Sequence, residues 1–266
     1  MSAYDPAGDI RTAHLMADAA RAAILPHFRA PLDVENKLDA GFDPVTVADR
    51  ASEEAMRAVL ARHAPDDGIL GEEFGETAGT NGRRWVLDPI DGTRAFISGL
   101  PTWTVLIALE REGRPAVGVI DQPHIGERFL GWPGGAVLSH GGEDRPLRTR
   151  GTRSLDTAIL STTDANLFAD AEAEAFEQVR RKARLCRFGY DAYAYAMLAG
   201  GGVDLVIESG LQVYDVQAFI PVIEGAGGVV TDWSGGDASG GGQVVAAASR
   251  ELLDAVLPLL APAAAR

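Results

Sequence analysis

The stretch Trp85-Val-Leu-Asp-Pro-Ile-Asp-Gly-Thr-Arg-Ala-Phe96 runs from an apolar, strand-like segment into two acids, Asp88 and Asp91, and then into a Gly92-Thr93 turn at the start of a helix. Two carboxylates at this spacing can hold hard divalent cations, which take oxygen ligands. The Gly-Thr turn can present backbone N–H groups to an anion at a helix N-terminus. A capped turn alone would not explain why an apolar run delivers two acids to one spot. Together these features point to metal-assisted attack on a phosphate ester.

Towards the N-terminus, apolar residues at Ile10, Ala13, Ala17, Ala20, Ile24 and Phe28 predict a helix opened by Asp5-Pro6 and running to about Phe28. Polar residues from Asp33 to Asp43 predict a mobile hairpin or loop. A second helix follows from about Thr46 to His63, with Thr46 as its cap and Asp49 in its first turn. Short strands fit Gly68–Gly71, Arg84–Asp88, Thr102–Arg111, Pro115–Gln122 and Arg128–Trp132, with a hairpin turn at Glu112-Gly113. The first half reads as two helices against an antiparallel sheet.

From about Ser154 strands and helices alternate, which argues for an α/β layer. The expected order is strand Ala158–Thr162, helix Leu167–Arg181, strand Ala183–Phe188, helix Asp191–Ala199, strand Val203–Glu208 and helix Tyr214–Gly225. Strands Val229–Thr231 and Val244–Ala248 and helix Arg250–Leu260 close the chain. The Gly-rich Ser234–Gly242 reads as a surface loop. The expectation is two lobes, 1–150 and 151–266.

The chain has 266 residues, 46% of them hydrophobic, enough for a sizeable core. No segment approaches the roughly 20 apolar residues of a membrane span, so no membrane partner is expected. The first residues lack a basic start followed by an apolar stretch, so no signal peptide is expected. A single cysteine, Cys186, excludes an internal disulfide and fits a reducing, cytoplasmic setting. With 38 acidic against 24 basic residues the net charge is −14, which argues against a nucleic-acid partner. The densest basic cluster, Arg180-Arg181-Lys182, suits a helix C-terminus. Such an acidic chain would repel a phosphate ester unless cations intervened.

Other acids stand at element boundaries: Asp49 after Asp43-Pro-Val-Thr-Val-Ala, Glu72 and Glu73 after Ile69-Leu70-Gly71, and Asp215 after Gly210-Leu-Gln-Val-Tyr214. Loops at such boundaries carry functional groups on a rigid scaffold. The segments Asp43–Asp49, Gly71-Glu-Glu73, Asp88-Pro-Ile-Asp-Gly-Thr93, Tyr214-Asp215 and Glu224 with Ala226-Gly227-Gly228 resemble the inositol monophosphatase family in order and spacing, over nearly the whole chain. The resemblance implies an α/β (α+β) fold, a layered α-β-α-β-α sandwich, and a Mg²⁺-dependent phosphatase, usually a dimer.

It further implies that Glu72, Asp88 and the Ile90 carbonyl hold a first metal. Asp88, Asp91 and Asp215 would hold a second, and a third Mg²⁺ would lie near Glu72. Thr93, paired with Asp49, would orient and help deprotonate the attacking water, which Glu72 also touches. The N–H groups of Gly92 and Thr93 would hold phosphate oxygens. Two cations about 3.5–4 Å apart can stabilise the attacking and leaving oxygens of one displacement. A non-catalytic metal- or phosphate-binding protein is the contrary reading; it would not require a water-activating pair.

For the alcohol, the resemblance points to Tyr190, Asp191 and Glu208. An acid at Asp191 departs from the small apolar residue of inositol phosphatases, although it could also cap the helix that follows. Two acids suit an ammonium-bearing substrate, since an unpaired buried carboxylate is costly. Arg94, in Thr93-Arg-Ala-Phe96 without the Asn usual before the Phe, and Phe188-Gly-Tyr-Asp-Ala-Tyr-Ala-Tyr195 look more like the histidinol-phosphate phosphatase branch. Arg94 would pair with a neighbouring acid or close over substrate. The expected reaction is hydrolysis of L-histidinol phosphate in histidine biosynthesis, with inositol 1-phosphate or another sugar phosphate as the alternative.

Overall fold

The computed structural model describes residues 5–31, 34–36 and 44–265. In chain order its elements are α1 (Ala7–Ile24), β1 (Val34–Asn36), β2 (Pro44–Thr46), α2 (Val47–His63), β3 (Gly68–Gly71), β4 (Gly75–Thr77), β5 (Arg83–Asp91) and α3 (Thr93–Ile97). Next come β6 (Thr104–Arg111), β7 (Arg114–Gln122), β8 (Glu127–Trp132), β9 (Gly135–His140) and β10 (Glu143–Pro146). The second half holds β11 (Ile159–Thr162), α4 (Asp170–Lys182), β12 (Leu185–Phe188), α5 (Tyr193–Ala199), β13 (Leu205–Leu211), α6 (Val213–Val216), α7 (Phe219–Gly225), β14 (Val229–Asp232), β15 (Gly242–Ala247) and α8 (Arg250–Leu260).

An eight-stranded sheet has the order β10-β9-β8-β7-β6-β5-β3-β4 and a five-stranded sheet the order β12-β11-β13-β15-β14. Strand side chains alternate between faces, and the two cores of the large sheet follow that alternation. Trp85, Leu87, Val105, Ile107 and Leu109 pack under α1 and α2. Val86, Leu106, Ala108 and Ile120 point the other way, onto α5 and α7. Val206, Val244 and Ala246 reach that same central layer from the second sheet. Leu205, Ile207, Val245 and Ala247 face outward onto α4 and α8. The layers are therefore α-β-α-β-α, as the resemblance implied.

Several boundaries differ from expectation. The first helix ends at Ile24, not Phe28, because Pro26 lacks the N–H that would continue it. Phe28 still reaches the core, with its ring centroid 5.4 Å from Phe96 and 5.2 Å from Trp103. The expected helix Tyr214–Gly225 is two helices, α6 and α7. Pro221 cannot donate to the Gln217 carbonyl and its ring crowds that turn, so the break falls just before α7. Strands β4, β9 and β10 were not expected; β4 and β10 are short and exposed. In the Asp33–Asp43 loop, Val34–Asn36 pairs antiparallel with Pro44–Thr46, while residues 37–43, including Asp43, lie outside the described residues.

Other expectations hold. Glu112 and Gly113 both take positive φ, 53° and 75°, at the β6–β7 turn, which matches the tight hairpin geometry. Arg180, Arg181 and Lys182 form the last turn of α4, with Glu177 pairing Arg180 and Arg181. Cys186 is half-buried on the edge strand β12, where burial pushes its thiol up to about 11. No helix among the described residues is long and apolar enough to cross a membrane.

Candidate active site

On a regular strand Asp88 and Asp91, three residues apart, would point to opposite faces. The pairing with β6 shows why they do not: Asp88 stands opposite Leu106 and Asp91 opposite Thr104, so β5 carries one extra residue between them. Such a bulge re-aims a side chain, and Pro89 within it has no N–H to lose from the ladder. Carboxylate oxygens of Asp88, Asp91 and Asp215 consequently lie within 4.8 Å of one another. Asp88 is buried, and its Oδ1 has no hydrogen-bond partner among the described residues.

Two further elements deliver acids to this point. β3 runs parallel to β5 with Gly71 opposite Leu87, and the Glu72 N–H donates to the Leu87 carbonyl at 3.2 Å. Glu72 is thereby set against Asp88. From the second sheet, β13 bulges between Glu208 and Leu211 and turns the chain into α6. There Asp215 occupies the first turn and its Oδ2 accepts the Gln212 N–H at 2.6 Å.

Electrostatics makes this cluster costly without a counter-charge. Desolvation, then the charges of Glu72, Asp91 and Asp215, push the Asp88 carboxyl well above the ordinary range. Asp91 is pushed the same way by desolvation, Asp191 and Asp215, against the Ala192 N–H it accepts at 2.6 Å. Close like charges cannot all ionise unless a cation is present. The donor set, all oxygen with one orphaned and buried carboxylate oxygen, suits a hard divalent ion.

Beside these acids a cavity of about 140 Å³ is lined by Asp91, Asp191, Glu208 and Asp215 together with Thr163 and Tyr195. Burial raises Glu208 to about 7, against the two hydrogen bonds it accepts from Thr163, at 2.9 Å from N–H and 2.6 Å from Oγ1. Burial raises Asp191 to about 6, opposed by the charge of Arg94. No Lys or Arg is among the described residues lining this cavity.

Asp191 does not cap the helix that follows. The cap position is Ala192, and Asp191 takes a left-handed φ of 47°. That conformation folds its carboxyl over Gly92, where a Cβ would meet it at 2.9 Å. Gly92 itself has φ 80° and opens the short helix α3.

The expected pairing of Thr93 with Asp49 is absent among the described residues. The Thr93 hydroxyl donates to the Ile90 carbonyl at 3.1 Å. Asp49 Oδ2 instead accepts from Thr46 N–H at 2.8 Å and Thr46 Oγ1 at 2.6 Å, completing a capping box at the start of α2. A local partner three residues away captures the carboxylate at little entropic cost. Burial, then repulsion from Glu73 against those Thr46 bonds, raises Asp49 to about 6. Tyr190 does not line the cavity; its hydroxyl accepts from Arg187 Nε at 3.1 Å. Arg94 is exposed, with its charge near Asp191.

Sequence reasoning missed Thr163 and Tyr195 as site residues. Thr163 carried only the weak signal of a strand end. Tyr195 lay in the Phe188–Tyr195 stretch, yet its burial in the cavity wall, stacked on Phe219 at 3.7 Å, depends on α7.

Known proteins resemble this chain in sequence and in fold. The model of the inositol monophosphatase family matches residues 8–264. The bifunctional phosphatase IMPL2 of Arabidopsis thaliana is 46% identical over 222 residues, 83% of this chain and 63% of that protein, so the match spans less than two thirds of that relative. A histidinol-phosphatase of Streptomyces coelicolor is 39% identical over 241 residues, 85% of this chain and 87% of that one. The solved structure of an inositol monophosphatase from Zymomonas mobilis superposes with a TM-score of 0.85 at 42% identity, over 97% of this chain and 100% of that one. With its sandwich, its clustered acids and these relatives, the chain belongs to the inositol monophosphatase family and is a phosphoric monoester hydrolase.

Proposed function

We propose that this protein is a Mg²⁺-dependent L-histidinol-phosphate phosphatase of histidine biosynthesis, releasing histidinol and phosphate by direct attack of water. The observation that carries the alcohol is the cavity wall: Asp191 and Glu208 face one small space beside the metal-type acids, with no cationic side chain among the described residues that line it. A substrate bearing an amine and an imidazole brings a counter-charge to both acids, whereas a neutral polyol brings none. The histidinol-phosphatase relative at 39% identity supports the same choice. The inositol monophosphatase from Zymomonas mobilis at 42% identity favours the second reading, inositol 1-phosphate.

In this reading Glu72, Asp88, the Ile90 carbonyl, Asp91 and Asp215 would hold two to three Mg²⁺ ions. Bound there, the ions would supply Lewis-acid charge for the phosphate and lower the pKa of the attacking water. The chain's own groups do the positioning. Thr93 orients the water and Glu72 touches it. Asp49, whose carboxyl sits near 6, is suited to take its proton close to neutral pH. N–H groups of Gly92 and Thr93 hold phosphate oxygens, and Arg94 covers Asp191. Residues 1–150 contribute most metal ligands, and 151–266 contribute Asp215 and the alcohol pocket. Tyr190, outside the cavity lining, would act at its rim. A cytoplasmic homodimer belongs to the same proposal, and native mass tests the dimer.

The deciding experiment compares kcat/KM for histidinol phosphate and inositol 1-phosphate in Mg²⁺, with the wild type and Asp191→Ala. The wild type should prefer histidinol phosphate, and the variant should lose about 10- to 100-fold on that substrate with little change on inositol 1-phosphate. Equal losses on both would make Asp191 a structural residue and remove the amine reading.

A further inference from the structure

One turn of α2 grips two of the segments that present acids to the site. Glu53 is fully buried, with 0% of its surface exposed. Its Oε2 accepts the Glu73 N–H at 2.7 Å and its Oε1 the Phe74 N–H at 3.3 Å. Arg57, one turn on, donates to Glu53 Oε1 at 2.8 Å and also to the Gly75 carbonyl at 2.6 Å and Thr77 Oγ1 at 3.0 Å. The hairpin between β3 and β4 is therefore fastened to the helix at its turn and along β4. The neighbouring Ser52 donates to the Pro89 carbonyl at 3.4 Å, inside the β5 bulge. Gly71 lies so close that a Cβ there would sit 1.9 Å from Glu53 Oε1.

A buried carboxylate that spends its charge on two backbone N–H groups and an arginine holds those groups tightly, because charge-assisted hydrogen bonds are the stronger kind. The residue it fixes is Glu72, which immediately precedes the gripped N–H groups and stands against Asp88. We propose that Glu53, with Ser52 beside it, is a positioning residue for the metal site, holding Glu72 at a fixed separation from Asp88. The proposal rests on Glu72 being a metal ligand. Glu53 is no ligand itself: its oxygens are taken by the hairpin and Arg57. Asp49 lies one turn earlier on the same buried face of α2. One helix face therefore sets the water-side acid, the hairpin acid and the bulge.

Calorimetric Mg²⁺ titration of the wild type, Glu53→Gln, Glu72→Gln and the double variant tests this, with thermal unfolding in EDTA alongside. Glutamine keeps the size of Glu53, but its amide N–H group must face either a backbone N–H or Arg57, so one anchor is lost. Glu53→Gln should weaken Mg²⁺ binding by about 10- to 100-fold, as loss of an orienting partner does. It should add almost nothing once Glu72 is already Gln, since the two then act through one contact. Gly71→Ala, which pushes the carboxylate aside without removing it, should weaken Mg²⁺ binding likewise, and it decides the matter by the same criteria if Glu53→Gln fails to fold. A lower melting point in EDTA with wild-type Mg²⁺ affinity would overturn the proposal, as would equal weakening with and without Glu72. If Glu72→Gln binds Mg²⁺ like the wild type, the ligand assignment itself falls and the tether falls with it.

Discussion

Gly92 and Asp191 illustrate how single residues shape this site. Asp191 accepts a left-handed backbone, φ 47°, that a non-glycine residue adopts only when its surroundings hold it there. It is held because Ala192 N–H is bonded to Asp91 and its own carboxyl lies across Gly92. Gly92→Ala would place a Cβ 2.9 Å from that carboxyl in a backbone conformation already unfavourable to alanine. We expect it to cost about 1–3 kcal/mol of stability, read by urea unfolding, and to abolish most turnover. Thr93→Ala tests a different kind of residue. Among the described residues its hydroxyl donates to the Ile90 carbonyl alone, so the fold and Mg²⁺ binding should survive while kcat drops by about 100-fold or more. Undiminished turnover would remove Thr93 from the mechanism.

At the scale of the element, helix α2 does two jobs with one cap. Thr46 Oγ1 accepts the Ala48 N–H and donates to Asp49, and Asp49 accepts the Thr46 N–H in return. Thr46→Ala should therefore lose about 1 kcal/mol in denaturant unfolding, the usual worth of a cap, and should also alter the pH dependence of kcat by freeing Asp49. A stability loss with an unchanged pH profile would confine Asp49 to capping. This cap was legible from Thr46 and Asp49 alone, because capping is local and its partners are three residues apart. The break between α6 and α7 was also written in the chain, at Pro221, though the apolar pattern around it concealed the interruption. The β5 bulge was legible only as a proline inside a strand. That it brings Asp88 and Asp91 onto one face follows from the register with β6.

Over the whole molecule, the acids of both sheets meet where the two halves of the chain share the central helical layer. Asp88, Asp91, Asp191 and Glu208 are all raised in the folded protein. Without metal, the folded state therefore binds more protons than the unfolded chain from the ordinary carboxylate range up to about pH 7, and these groups destabilise the fold as pH rises through that window. In EDTA the melting midpoint should fall between about pH 5 and pH 8, and Mg²⁺ should raise it more at the higher pH, where it no longer competes with protons. An equal Mg²⁺ shift at both values would separate the metal from these carboxylates. The sequence by itself determined the order of most elements, the caps, the acidic residues at strand and helix ends and the family, because periodicity, turn chemistry and short motifs are local. Tertiary structure alone decided that Asp88 and Asp91 share one face, that Asp191 lies over Gly92, and that Thr163 and Tyr195 wall the alcohol cavity. Each depends on contacts between segments distant in sequence or on competition among nearby partners, and only packing settles which of them a side chain reaches.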